Sequence, residues 1–360
     1  HLREILPIPA LLKQLKVGST DPIPLLQLRN PKPSLVEVLT FSDFISVAPV
    51  LCVSLDGVSL SSEMLRVILS SLVHKKDIEK LTLRNTPIDE LGWKMLCWFL
   101  TKNSSVSRID LTQVPSLATN VQKPSKESSS SNITRMDCDM NSRSDMNWNL
   151  FNAALIDRGG IDELVMNGAK VGLQQFKNLF EMGVKLSTTK LGLACNDLSD
   201  EQVQILAQNM DVNVTGLDLA YNDLDGKLIH FIERAGAEGF SGSNLKYLSM
   251  NSTNISNKND EIHKFITGFA KLEEFRYLDL SNNKKLFPNL ITTLTQSLPL
   301  FPKLAIIHLD YNDLTQNFIV ALAELIPFCK SLSHISLIGN HLDNVSGAAL
   351  SRAMKNSRSV

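Results

Sequence analysis

Leu217-Asp-Leu219-Ala-Tyr-Asn222-Asp-Leu224 decides the fold, because its L-x-L-x-x-N-x-L pattern returns along the chain. It recurs as Leu191-Gly-Leu193-Ala-Cys-Asn196-Asp-Leu198, Ile307-His-Leu309-Asp-Tyr-Asn312-Asp-Leu314 and Ile335-Ser-Leu337-Ile-Gly-Asn340-His-Leu342. Taking the first apolar position as the frame gives Val53, Leu81, Ile109, Leu164, Leu191, Leu217, Leu248, Leu278, Ile307 and Ile335. The steps are 28, 28, 55, 27, 26, 31, 30, 29 and 28 residues, so one step is double length and holds an insertion. A fixed period of this size marks stacked supersecondary units.

Each unit repeats the same logic. The L-x-L stretch alternates, so two apolar side chains face one way and their neighbours the other. Asn196, Asn222, Asn283, Asn312 and Asn340 follow at a turn, where an amide can satisfy backbone groups that stacking would bury. Helical spacing comes next, as in Val203, Ile205 and Leu206 or Phe318, Leu322 and Leu325. Val58, Thr86, Val114, Ala169 and Thr253 occupy the Asn position elsewhere, and those turns need other partners. One extra residue after Leu280 predicts a bulged turn before Leu286.

A single unit cannot bury its own apolar face, but ten stacked units share one core. On these motifs residues 50–360 resemble leucine-rich repeat proteins, specifically the ribonuclease-inhibitor-like subclass. The resemblance implies an α/β solenoid, a curved horseshoe with parallel strands on its concave face and helices outside. It implies little about function, because this scaffold hosts many activities.

Residues 1–49 lie outside the ten repeats and carry Pro7, Pro9, Pro22, Pro24, Pro31 and Pro33, which enforce extended paths. They are read as an amino-terminal cap, with an interaction segment as the alternative; Val36 to Val47 is apolar enough to pack. The segment 118–147, containing Pro124-Ser-Lys-Glu-Ser128-Ser-Ser-Ser131, lacks the aliphatic residues of a core. It is expected to be a disordered surface loop whose serines are candidate phosphorylation sites. The chain begins at His1 without Met and ends just after a repeat helix, so it is expected to be a piece of a longer protein.

The net charge of −1 gives no support for nucleic-acid or anionic-membrane binding. No apolar run reaches the length of a membrane span. Cys52, Cys97, Cys138, Cys195 and Cys329 are odd in number, far apart and without metal-ligand spacing, which points to a reducing, cytoplasmic location. No cofactor is expected, and the phosphate-, metal- and nucleophile-bearing motifs of common enzymes are absent. The chain is therefore read as non-enzymatic. Ran GTPase-activating proteins share this repeat class and present an arginine from an early repeat; Arg84 is the outward candidate here, and this is the alternative reading.

Function then depends on which face binds. In the late repeats the outward strand positions include Asp218, Asn251, Asp279, His308 and Asp310, flanked by Tyr221, Tyr247, Tyr277 and Tyr311. Tyrosine is enriched at protein interfaces, and the aspartates favour a basic or hydroxyl-rich partner. Lys80, Arg84 and Arg108 beside Asp56 and Asp110 make the early strands mixed or basic. Leu83-Arg-Asn-Thr-Pro-Ile88, Gly92-Trp93 and Leu96-Cys-Trp-Phe-Leu100 resemble the repeats of regulatory subunits of type 1 protein phosphatase and of large fungal proteins that interact with it. That resemblance implies a regulatory or targeting scaffold for the phosphatase catalytic subunit. Lys227-Leu-Ile-His-Phe231 has the letters of such a regulator's docking motif, but it falls where a helix is expected, and a buried helix cannot add to a sheet edge.

Overall fold

The computed structural model describes residues 21–114, 142–210, 213–238, 243–287 and 289–357. It forms two compact units, His1–Thr188 and Thr189–Val360. The first alternates β1 (Leu26–Gln27), α1 (Leu35–Val47), β2 (Cys52–Ser54), α2 (Ser62–Leu72), β3 (Lys80–Thr82), α3 (Glu90–Lys102), β4 (Arg108–Asp110), α4 (Trp148–Arg158), β5 (Glu163–Val165) and α5 (Leu173–Asn178). The second continues with β6 (Lys190–Gly192), α6 (Asp200–Asn209), β7 (Gly216–Asp218), α7 (Ile229–Glu238), β8 (Tyr247–Ser249), α8 (Glu261–Phe269), β9 (Tyr277–Asp279), α9 (Leu290–Ser297), β10 (Ile306–His308), α10 (Gln316–Leu325), β11 (His334–Ser336) and α11 (Asn344–Asn356).

Within each unit consecutive strands pair in parallel. Val53 lies opposite Leu81, Leu81 opposite Ile109, and Ile109 opposite Leu164. In the second unit Leu191, Leu217, Leu248, Leu278, Ile307 and Ile335 form the same rank. The sequence frame is thus the strand register. Parallel pairing requires a crossover between strands, and the helices between successive strands supply them. In α2, α3, α6, α10 and α11 the helix begins at one offset. Eight residues past the frame, Ser61, Asp89, Ser199, Thr315 and Asp343 each accept an N–H of the first helical turn. These are the residues whose short oxygens suit an N-cap.

The amino-terminal segment differs from the sequence expectation. Leu26 pairs with Val53, and Ser34, eight residues on, caps α1 through a capping box with Glu37. Val38, Phe41 and Ile45 of α1 are fully buried. Leu26-Gln-Leu28 is therefore an L-x-L strand with Pro31 in the Asn place, and residues 26–47 form a strand–helix unit of the same build. Whether it caps or binds, it does so as a repeat.

The turn asparagines form a ladder. Asn222 Nδ2 donates to the carbonyls of Leu193, one repeat back, and Leu219, its own, both at 2.9 Å. Its Oδ1 accepts from the Asn196 N–H at 3.0 Å and the Leu198 N–H at 3.3 Å. Asn283, Asn312 and Asn340 continue the pattern. Thr253 reaches Met250 O at 2.8 Å, and Thr86 Oγ1 reaches Leu55 O at 2.5 Å. The extra residue after Leu280 is taken up by a 3₁₀ turn, Lys284–Leu286, which returns Leu286 to the core.

The Val114 side chain has no donor, and its place is taken by a residue from another segment. The Arg143 guanidinium donates to Leu83 O and Leu111 O at 2.7 Å each and to Thr86 O at 3.1 Å. Its first two acceptors are one repeat back and its own, the same pair a ladder asparagine uses. Trp148 Nε1 holds Arg143 O at 2.9 Å, Trp93 Nε1 holds Asn147 O at 2.8 Å, and the two indoles meet edge to face at 4.9 Å. Residues 142–147, expected to be part of a disordered loop, are thus fixed, with Arg143 buried and Asn147 capping α4. Residues 118–141 of that loop, including its serine run, lie outside the described residues.

Candidate protein-binding face

The side of each strand opposite the core carries three outward columns: the residues one before, one after and three after the frame. In the second unit these columns gather Tyr247 and Tyr277, then Asp218, Asp279 and His308, then Asn251 and Asp310. Parallel register makes them neighbours. The Tyr247 and Tyr277 rings are 6.3 Å apart, and Tyr277 and His308 are 5.2 Å apart. His308 Nδ1 lies 3.9 Å from Asp310 Oδ2.

The aspartates are part scaffold and part surface. Asp218 accepts the Ala220 N–H at 3.0 Å, Asp279 the Ser281 N–H at 2.9 Å and Asp310 the Ile338 N–H at 2.8 Å. Asp279 is buried, whereas Asp218 and Asp310 are half-buried. Their charges converge on one hydroxyl. Burial, then Asp279, Asp218 and Asp310, push the Tyr277 phenol up to about 12. Burial, with Asp279 adding to it, raises the Asp218 carboxyl. Burial accounts for most of that shift; the three carboxylates add to it, and their negative potential favours an incoming cation.

Tyr221 and Tyr311 extend the face from the turns. They occupy the position four past the frame, and their φ angles are 58° and 55°. That column is left-handed at Gly57, Asn85, Gly168, Cys195, Ser252, Asn282 and Gly339 as well. Glycine and asparagine suit it; a tyrosine there is strained. Both rings are nevertheless exposed, at 60% and 55%. The Tyr311 ring lies over Gly339, where a Cβ would come within 2.1 Å of it.

The first unit presents a different face. Arg108 pairs with Glu79 at 3.0 Å, Arg84 with Asp110 at 3.8 Å and Lys80 with Glu163 at 4.0 Å. Asp56 accepts from Thr82 Oγ1 and the Arg84 N–H. The early basic residues are therefore largely compensated, and Arg84 is held across repeats by Asp110. At the other sequence motif, Leu228 and Phe231 are buried and Lys227 Nζ caps Leu198 O at 2.8 Å, so that stretch serves packing. Among the described residues no group of His, Cys, Asp and Glu is placed to hold a metal ion, and no helix is long and apolar enough to cross a membrane.

Comparison with known proteins agrees with this architecture. The family model of the MHP1/HER1/GIP3 LRR domain matches residues 1–340. MAP-homologous protein 1 of Saccharomyces cerevisiae is 50% identical over the whole chain, and HMG2-induced ER-remodeling protein 1 of the same yeast is 37% identical over 94% of it. The chain spans about a quarter of each, 26%. The crystal structure of the leucine-rich repeat-containing protein LegL7 from Legionella pneumophila superposes with a TM-score of 0.53, covering 92% of this chain and 97% of that one at 15% identity. At that identity the likeness concerns fold alone. Register, turn ladder and family match together place the chain in the MHP1/HER1/GIP3 leucine-rich repeat domain family.

Proposed function

We propose that this chain is a protein-binding module that regulates or targets type 1 protein phosphatase, holding its partner on the tyrosine- and aspartate-lined face of the second unit. The observation that carries the binding reading is the pair of exposed tyrosines in left-handed turns. A left-handed non-glycine residue costs about 1–3 kcal/mol, and such strain clusters at functional positions. Folding alone would favour glycine or asparagine there, as at five of the nine left-handed positions described in the column. The negative potential around Tyr277 supports a basic patch on the partner. The phosphatase assignment rests on the likeness of the Leu83–Leu100 repeat to regulatory subunits. Cys52 and Cys97, reduced thiols in separate repeats, fit a cytoplasmic setting.

The test is capture of purified type 1 phosphatase catalytic subunit on the immobilised chain, beside a Tyr221→Asn/Tyr247→Ala variant. Retention by the first and loss by the second is the expected result. If the unmodified chain retains no phosphatase while remaining folded, the phosphatase reading fails and the partner lies elsewhere.

A further inference from the structure

The two units treat the same outward positions differently. In the first, Asp110 stands one past the frame of β4. One of its oxygens accepts the Thr112 N–H at 2.9 Å, and the other faces the Arg84 guanidinium, whose Nε lies 3.8 Å away. Arg84 stands three past the frame of the preceding strand. A cation of the chain thus completes a carboxylate that the turn uses only in part.

The second unit repeats the carboxylate and omits the cation. Asp279, one past the frame of β9, accepts the Ser281 N–H on Oδ1 at 2.9 Å, as Asp110 does for Thr112. Asp279 is only 7% exposed, and its Oδ2 has neither a hydrogen bond nor an ion pair among the described residues. The place that Arg84 takes beside Asp110 falls here to Asn251, whose Oδ1 accepts from the Ser252 hydroxyl at 2.6 Å. Beside Asp218 it falls to Ala194. Lys190 is the one lysine or arginine in the outward columns of this unit; it lies against Gly216 and pairs with none of the aspartates. His308 turns to Asp310, at 3.9 Å, rather than to Asp279. A buried carboxylate oxygen without a partner is costly to keep ionised. Two residues before it on the same strand stands Tyr277, whose ring lies in a row with Tyr247 and His308.

We propose that an arginine of the partner protein completes Asp279: its guanidinium lies on the Tyr277 ring and donates to Asp279 Oδ2, in the role that Arg84 plays toward Asp110. This deepens the reading of the face as a protein-binding surface and rests on it, but not on the phosphatase as the partner. Arginine suits the site better than lysine. A planar guanidinium stacks on an aromatic face while its edge bonds a carboxylate, whereas an ammonium is a compact, strongly hydrated point charge. Asp218 and Asp310 already accept turn N–H groups and add negative potential around the same ring.

The four tyrosines of the chain, Tyr221, Tyr247, Tyr277 and Tyr311, all belong to this face, so the 360-residue chain isotope-labelled in its tyrosine rings reports on it by NMR. The probe is N-acetyl-arginine amide, with the citrulline analogue (the same shape without the charge) and the lysine analogue as controls. The expected result is a saturable shift of the Tyr277 signal with roughly millimolar affinity for the arginine probe. The lysine probe should bind at least about tenfold more weakly and the citrulline probe not at all. Asp279→Asn keeps an acceptor for the Ser281 N–H, removes the charge and should weaken arginine binding at least about tenfold. Because Asp279 also holds a turn, a second variant leaves every aspartate in place: Asn251→Arg sets a guanidinium of the chain itself where Arg84 stands in the first unit, and should block the probe. Equal shifts with citrulline, no saturable shift with arginine, or unimpaired binding in Asn251→Arg overturns the proposal. Phosphatase capture without arginine binding overturns this inference and leaves the binding module standing. Arginine binding without phosphatase capture supports it and overturns the choice of phosphatase alone.

Discussion

The Arg143 guanidinium is a buried cation whose donors reach the Leu83, Thr86 and Leu111 carbonyls. Burial lowers its pKa to about 10, with the Asp110 charge working against that shift, so it stays protonated at neutral pH. Removing it leaves buried carbonyls unpaired, which costs about 3 kcal/mol. Arg143→Ala should therefore lower unfolding free energy by about that much in urea denaturation. Val114→Asn, introduced beside it, should restore part of the loss by returning the amide that the other repeats use. No recovery would mean that the turn of the third repeat is held by something other than this donor.

Two further residues on the proposed binding face have testable behaviour. Tyr221→Asn exchanges a strained residue for one that tolerates the left-handed turn, so stability should rise by up to about 1 kcal/mol while partner capture falls. A fall in both would mark Tyr221 as structural. Asp218 is an acid whose pKa burial, then the Asp279 charge, holds above the ordinary 3.8. Such a group favours the fold most when protonated; that contribution is complete below the unfolded value and is lost as pH climbs through the raised one. Asp218→Asn retains an acceptor for the Ala220 N–H and removes the charge. Its melting temperature should exceed that of the unmodified chain at about pH 7 and match it near pH 3.

Among the elements, β1 and α1 best show what the sequence hides. The ten frame positions were legible because stacking imposes a common register, and a common register shows as a period. Leu26 keeps that register 27 residues before Val53, but Pro31 stands where the ladder asparagine would be, and the surrounding prolines read as an extended lead-in. The legible signal was Ser34 with Glu37, a capping box at the repeat's own offset. Arg143 was hidden for another reason. Its role depends on a segment returning from a 55-residue step, and no local pattern announces a long-range substitution. The left-handed turn column could have been read from Gly57, Asn85, Gly168, Asn282 and Gly339, and would have marked Cys195, Tyr221, Ser252 and Tyr311 as out of place. If α1 is a packed repeat helix, Phe41→Ala opens a cavity against it and costs about 3–5 kcal/mol in unfolding free energy. A change near zero would make α1 a loosely attached segment.

At the scale of the whole molecule, each unit separates two jobs. The inward positions take apolar residues in repeat after repeat, and the turns and helix starts draw on a short set of polar groups where they are satisfied by side chains. The outward columns are free to vary, and they do: ion-paired charge in the first unit, aromatic and acidic side chains in the second. Asp279 and Asp310 bridge both jobs, because each accepts a turn N–H while contributing charge to the face. Substitutions there would disturb fold and binding together, whereas exposed Tyr221 and Tyr247 isolate binding. The most direct test is a calorimetric titration of type 1 phosphatase catalytic subunit into three proteins: the unmodified chain, Tyr221→Asn/Tyr247→Ala, and Arg84→Ala. Binding weakened at least about tenfold in the tyrosine variant and unchanged in Arg84→Ala is the predicted result. Undiminished binding by the tyrosine variant, or its loss on removing Arg84, would contradict the assignment of the partner to the second unit's face.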